Sequence, residues 1–165
     1  MNIPTLATRV GKYLADQRLV LVTAESCTGG WIAQAITDVA GSSMWFDRGF
    51  VTYSNLSKQE MLGVGEAALQ RYGAVSEAVA REMAMGALTH SAAQVGVAVS
   101  GIAGPGGGTA DKPVGTVCFA WAINTGDGKG AVVKATTGCF AGDREAIRRQ
   151  AVVEALQGVE RMLLA

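Results

Sequence analysis

Charge is scarce in this chain. Asp, Glu, Lys and Arg make up 17% of its 165 residues, below the quarter or so found in ordinary soluble domains. The 14 basic and 14 acidic residues cancel. No excess of positive charge marks a nucleic-acid-binding face, so no nucleic-acid partner is expected. Histidine is scarcer still, with His90 standing alone. The cysteines Cys27, Cys118 and Cys139 form neither a CxxC pair nor a disulfide framework. Zinc sites draw on several His, Cys or carboxylate ligands at short spacing, and no such cluster is visible. No metal and no cofactor are expected, and the sparse, odd set of thiols fits a reducing compartment. Long hydrophobic runs are missing too. Nothing approaches the ~20 uninterrupted apolar residues of a membrane span, and the opening MNIPTLATRVGKYLADQRLV is amphipathic, unlike a signal peptide. The expectation is a cytoplasmic protein with no membrane partner.

What the chain does have is apolar residues, at 49%, and 22 glycines. The length suits one domain over residues 1–165 with room for a core. So little charge on a small domain points to surface buried against another copy, a homo-oligomer.

Periodicity supplies the elements. Leu6, Val10, Tyr13 and Leu14 share one helical face, which places a first helix at about Pro4 to Gln17. RLVLVTA (18–24) reads as a buried strand, ESCTGG as a tight turn, and WIAQAITDVA (31–40) as a helix. MWFDRGFVTYS (44–54) is aromatic and β-branched, hence a strand, and SNLSKQEMLGV (54–64) starts a capped helix. Ser76 is a good N-cap for a helix over residues 77–93. VGVAVS (95–100) is a core strand running into the Gly-rich GIAGPGGGTADKP (101–113). VGTVCFAWAI (114–123) and AVVKATT (131–137) form a hairpin. Gly142-Asp143 caps a last helix to about Leu164, with Ile147, Ala151, Ala155, Val159 and Met162 at helical spacing. The order α-β-α-β-α-α-β-β-β-α predicts an α/β fold, a three-layer α/β/α sandwich with a mixed sheet.

Four segments can carry chemistry. In Glu25-Ser26-Cys27-Thr28-Gly29-Gly30 a serine projects from a strand-to-helix turn. Backbone N–H groups follow it, where a developing oxyanion would be stabilised; the other reading of the pattern is a plain N-cap serine with glycine packing. Cys27 is a rival nucleophile or a buried inert thiol. In Tyr53-Ser54-Asn55-Leu56-Ser57-Lys58 the lysine is the available base. Serine needs a base to take its proton, and His90 sits late in a helix without an acidic neighbour. A lysine serves only where burial or nearby positive charge lowers its pKa, and Tyr53 can relay a proton or hold the amine. Otherwise Lys58 is a solvated helix residue and Tyr53 a strand-end aromatic. The segment Ser100-Gly101-Ile102-Ala103-Gly104-Pro105-Gly106 is an anion nest at a strand end or a flexible connector. Arg144, with Arg148 and Arg149, opens the last helix as a phosphate or carboxylate ligand or a plain charged face.

Taken together, AESCTGG (24–30), TYSNLSK (52–58), SGIAGPGGG (100–108), KPVGTVCFA (112–120) and GDREAIR (142–148) carry a resemblance from about Leu6 to Leu164. The chain resembles the CinA C-terminal domain family, known as nicotinamide-nucleotide amidohydrolases. The resemblance implies hydrolysis of the carboxamide of nicotinamide mononucleotide to nicotinic acid mononucleotide and ammonia, without a metal, on a three-layer α/β/α fold. It implies Ser26 as nucleophile and Tyr53 and Lys58 as its catalytic partners. Cys27, Thr28, Gly29 and Gly30 would line the oxyanion side. Ser100, Gly101, Gly104 and Gly106 would lie near the substrate, and Arg144 would hold its phosphate. Glu25 is either a partner for the cationic pyridinium or a solvated or capping carboxylate. Some family members carry a large N-terminal domain; at 165 residues this chain is expected to be the stand-alone form. The rival expectation is a non-catalytic nucleotide-binding or competence-associated interaction protein using the same Gly-rich loop.

Overall fold

The computed structural model describes residues 2–165. Five strands form one sheet: β1 (Leu21–Glu25), β2 (Phe46–Val51), β3 (Val95–Gly101), β4 (Thr116–Ile123) and β5 (Val132–Cys139). Their order is β2-β1-β3-β4-β5. β2, β1 and β3 run parallel, while β4 and β5 are added antiparallel. The mixed sheet matches the sequence expectation.

Six helices cover its faces: α1 (Ile3–Gln17), α2 (Trp31–Thr37), α3 (Asn55–Leu62), α4 (Glu66–Tyr72), α5 (Glu77–Thr89) and α6 (Arg144–Leu164). Alternation along the strands assigns the layers. Val95, Val97 and Val99 of β3 and Val117, Phe119 and Trp121 of β4 pack with α1, α2 and α6. Ala98 of β3 and Cys118, Ala120 and Ala122 of β4 pack with α5 and the chain around Leu62 and Leu69. The central strands β1, β3 and β4 are buried on both faces, and the edge strands β2 and β5 are largely exposed. Parallel strands covered on both sides read as near-continuous hydrophobic runs, which is why VGVAVS is legible as a core strand.

The two sides differ in side-chain size. On the α5 side, small residues let that helix approach the sheet. On the α6 side, Gly158 lets the helix lie directly against Trp121; a Cβ there would fall on the indole. Trp121 Nε1 donates to the Ala155 carbonyl at 2.9 Å, so the polar edge of the ring is satisfied inside the core.

Two caps fall where the sequence puts them: Ser76 and Asp143 accept from the backbone N–H of Val79 and Ala146. Asn2, which the sequence reading did not name, caps α1 by accepting from Thr5 N. Several boundaries differ. The strand expected over 44–54 is β2 alone, preceded by a 3₁₀ turn at Ser42–Met44, and Tyr53 lies beyond its end. The helices expected to reach residues 40 and 93 stop at Thr37 and Thr89. Helix α4 was not expected: its seven residues are flanked by Gly65, which offers no side-chain cap, and Gly73, so no start signal marks it in the sequence.

Candidate active site

Register brings the site together. Glu25, the last residue of β1, lies opposite Val51 on one side and Val99 on the other. The next residue of each strand therefore emerges at the same sheet edge. The ladder extends one step further: Ser26 N donates to Val99 O at 3.0 Å, and Thr52 N donates to Glu25 O at 2.8 Å. Ser26, Thr52 and Ser100 thus stand side by side at the carboxyl ends of three parallel strands, where ligands of open α/β sheets bind.

Helix α3 supplies the fourth participant. Ser54 and Ser57 cap it reciprocally, which fixes its first turn beside Thr52. Lys58, in its second turn, is 1% exposed. Its Nζ donates to the Thr52 carbonyl at 2.8 Å and meets Ser26 Oγ at 3.0 Å. Burial pushes the Lys58 amine below its ordinary value, because a charge removed from water is disfavoured. The influence opposing this comes from Cys27, whose own thiol is pushed up to about 11 by burial and is neutral near pH 7. The Thr52 carbonyl accepts one N–H of the amine, which aims the remaining valences of Nζ at the serine.

The turn after Ser26 is held from inside. Glu25 is 1% exposed and spends its carboxylate on three donors. Oε1 accepts from Thr28 Oγ1 at 2.6 Å and from Ile32 N at 2.9 Å, and Oε2 accepts from Ala33 N at 3.0 Å. It is a capping carboxylate, and α2 needs one because its N-cap, Gly30, has no side chain. Glu25 does not line the cavity, and with its carboxylate spent on these donors it fits the capping alternative and not the pyridinium partner. Gly29 N donates to Ser26 O at 3.1 Å. The Cys27 and Thr28 N–H groups make no hydrogen bond among the described residues.

A cavity of about 180 Å³ opens onto this edge. Ser26, Cys27, Tyr53, Lys58, Ser100, Gly101 and Arg144 line it, as do Asn55, Ala74, Val75 and Ala103. Gly29, Gly30, Gly104 and Gly106 are not among the residues that line it, and Thr28, whose hydroxyl is turned to Glu25, adds no side chain to the wall. Arg144 bridges two elements at the mouth: Nη1 donates to the Gly104 carbonyl at 2.7 Å and Nη2 to the Tyr53 hydroxyl at 3.1 Å. The Tyr53 hydroxyl is thus engaged by Arg144, and not by Lys58 or Ser26. Gly104 has φ +82, a conformation glycine adopts without strain, so the Gly-rich segment is a shaped loop that presents its carbonyl to Arg144.

Asn55, Ala74, Val75 and Ala103 were not named as site residues from the sequence. Asn55 lay within a motif already singled out, one turn before Lys58. Ala74 and Val75 follow the unexpected α4, so nothing in the sequence aimed them at the site. Among the described residues no group of three His, Cys, Asp or Glu side chains is placed to hold a metal ion, and no helix is long and apolar enough to cross a membrane.

A serine hydroxyl bonded to a buried amine, at the carboxyl edge of a three-layer α/β/α sheet, is an arrangement suited to nucleophilic acyl transfer. The chain belongs to the CinA C-terminal domain family, whose model matches residues 3–163. A nicotinamide-nucleotide amidohydrolase PncC of Escherichia coli K12 is 55% identical over 152 residues, covering 92% of this chain and 89% of that protein. A protein of the same name from Pseudomonas putida is 52% identical over 157 residues, covering 95% and 94%. The crystal structure of a competence/damage inducible protein from Agrobacterium tumefaciens superposes with a TM-score of 0.90 at 45% identity, covering 99% of this chain and 96% of that one.

Proposed function

We propose that this chain is an amidohydrolase that converts nicotinamide mononucleotide to nicotinic acid mononucleotide and ammonia in pyridine nucleotide recycling. The observation that carries the reading is the 3.0 Å contact between Lys58 Nζ and Ser26 Oγ inside buried surroundings. The names of relatives at 52–55% identity, nicotinamide-nucleotide amidohydrolases, support the substrate.

In this reading neutral Lys58 takes the Ser26 proton directly as Oγ attacks the carboxamide carbon. The oxyanion is received by the free N–H groups of Cys27 and Thr28; one such donor is typically worth about 3 kcal/mol in the transition state. The Lys58 ammonium gives its proton to the departing nitrogen, the C–N bond breaks, and ammonia leaves an acyl ester on Ser26. Water then attacks the ester, Lys58 takes its proton, and the ester bond breaks to return the proton to Ser26 Oγ. Tyr53 and Arg144 stand at the cavity mouth, where they suit the phosphate and ribose of a substrate whose carboxamide is inside. Cys27 stays a neutral thiol and does not compete as nucleophile.

The same reading takes the protein as a cytoplasmic, self-associating domain without a nucleic-acid partner. Zero net charge and the exposed apolar side chains of Met44, Val51 and Leu56 support it. Ammonia release by purified protein, with nicotinamide mononucleotide, its riboside and nicotinamide compared, tests the function. Turnover confined to the mononucleotide is expected. Absence of ammonia from all three would overturn the amidase reading.

A further inference from the structure

Arg148 lies one helical turn beyond Arg144 on α6, and it does not line the cavity. Its guanidinium reaches the turn that carries the nucleophile. Nε donates to the Cys27 carbonyl at 3.0 Å, and Nη2 donates to the Thr28 carbonyl at 3.1 Å. The Thr28 carbonyl also accepts from Trp31 N at 3.0 Å. The guanidinium carbon sits 5.5 Å from the centre of the Trp31 ring, within cation–π range, so its plane is held before any substrate arrives. No carboxylate pairs with it among the salt bridges of the described residues.

In a planar trans peptide the C=O and the next N–H point in opposite directions. Holding the Cys27 carbonyl therefore fixes the direction of the Thr28 N–H. The Ser26 carbonyl, held by Gly29 N, fixes the Cys27 N–H in the same way. Every carbonyl from Ser26 to Thr28 is thus engaged, and the two N–H groups between them are left without a partner. Such a pair of donors is what an oxyanion needs, and its value depends on being aimed in advance.

We propose that Arg148 is the positioning residue of the oxyanion hole: its fork across the Cys27 and Thr28 carbonyls orients the Thr28 N–H for the acyl-transfer step at Ser26. The inference rests on the Ser26 nucleophile reading, not on the identity of the substrate. The positive charge reinforces the effect, since it lies close enough to act on the Cys27 thiol and so on the developing oxyanion beside it. A lysine at this position keeps the charge but cannot bridge two carbonyls with a planar fork.

The test compares wild type with Arg148→Lys and Arg148→Gln. The first measurement is the rate at which a fluorophosphonate labels Ser26, followed by intact mass. There Oγ displaces fluoride at phosphorus, and the phosphoryl oxygen occupies the oxyanion position. The second is kcat, KM and the pH profile with nicotinamide mononucleotide. Labelling and kcat are expected to fall together, about tenfold in the lysine variant and about a hundredfold in the glutamine variant. KM should stay within about threefold, and the acid limb set by Lys58 should not move. Unchanged labelling in folded Arg148→Gln overturns the proposal. So does a loss confined to KM, which marks a substrate ligand, or a shifted acid limb, which places Arg148 on Lys58. Failure of both variants to fold assigns the residue a structural role instead. If wild type labels at Ser26 but leaves the mononucleotide intact, the substrate reading falls while the labelling rates still decide Arg148. If Ser26 is never labelled, the proposal falls with the nucleophile.

Discussion

Lys58 Nζ lies 3.0 Å from Ser26 Oγ although 32 positions separate them in the chain. Two devices hold them together. Parallel pairing of β1 and β2 sets Ser26 beside Thr52, and a reciprocally capped helix begins three residues after Thr52. The amine then lies between the Thr52 carbonyl and the serine hydroxyl. Ser26→Ala removes the attacking oxygen and leaves the amine its carbonyl partner. Loss of a nucleophile in a concerted site costs many orders of magnitude, so ammonia release should fall by roughly 10⁴-fold or more. The urea midpoint should stay near that of wild type. Activity within tenfold of wild type would remove Ser26 from the mechanism.

Lys58 predicts a signed pH dependence. Burial lowers its folded-state pKa from the ordinary 10.5. The neutral amine is the base, so kcat/KM should rise with pH along a limb whose midpoint lies below 10.5. Stability follows the same linkage. Between the lowered folded pKa and the unfolded value the unfolded chain binds more protons, so stability rises with pH. It is greatest above the unfolded pKa and falls as pH drops through that window to the folded pKa. Lys58→Met removes both effects: the activity disappears, and the rise of stability with pH that Lys58 contributes in that window is lost. Lys58→Arg should not restore turnover, because guanidinium stays protonated. A wild-type rate in that variant excludes the base role.

Glu25 gives a third prediction, separable from the chemistry. Its carboxylate accepts from Thr28 Oγ1, Ile32 N and Ala33 N, and it is buried. Glu25→Gln replaces one acceptor oxygen with a donor. At least one buried N–H or O–H is then left facing an NH₂ group, at a cost of about 1–3 kcal/mol. The urea midpoint should drop accordingly. kcat should also fall, because the clamp holds the turn that carries Ser26, while the Lys58 acid limb stays in place. A variant with unchanged midpoint and kcat would mean that the turn keeps its shape without the clamp.

Much of this was legible in the sequence. VGVAVS and VGTVCFA are long enough and apolar enough to be recognised as covered strands, and Ser76 and Asp143 announce the helices they cap. Ser26 and Lys58 stood out because each is a chemistry-bearing residue in a short, glycine- or turn-rich segment next to a strand. Their proximity was not legible from periodicity, since it depends on which strands are neighbours and in what register. Arg148 was named from the sequence only as an anion ligand or part of a charged face; its backbone contacts were hidden for a related reason, since direction on a helix face decides whether a guanidinium meets water or a carbonyl, and direction is set by how α6 docks. Tyr53 shows the converse. Its motif suggested a partner for Lys58, yet it lies past the end of β2, 63% exposed, where Arg144 engages its hydroxyl.

The last prediction concerns Thr52, which is fully buried and meets Lys58 through its main chain only. Its side-chain Oγ1 has no hydrogen-bond partner among the described residues. An unsatisfied buried hydroxyl is a cost, and replacing it with an apolar group of the same shape is nearly neutral or stabilising. Thr52→Val keeps the branched shape, the backbone carbonyl and the β preference. Activity should therefore remain within about twofold of wild type, and stability should hold or rise by up to about 1 kcal/mol. Thr52→Pro is the contrasting substitution. It deletes the N–H that donates to Glu25 O and tilts the carbonyl that orients the amine, so activity should collapse. A severe loss of kcat in Thr52→Val with an intact fold would show that the hydroxyl, and not the carbonyl, positions Lys58.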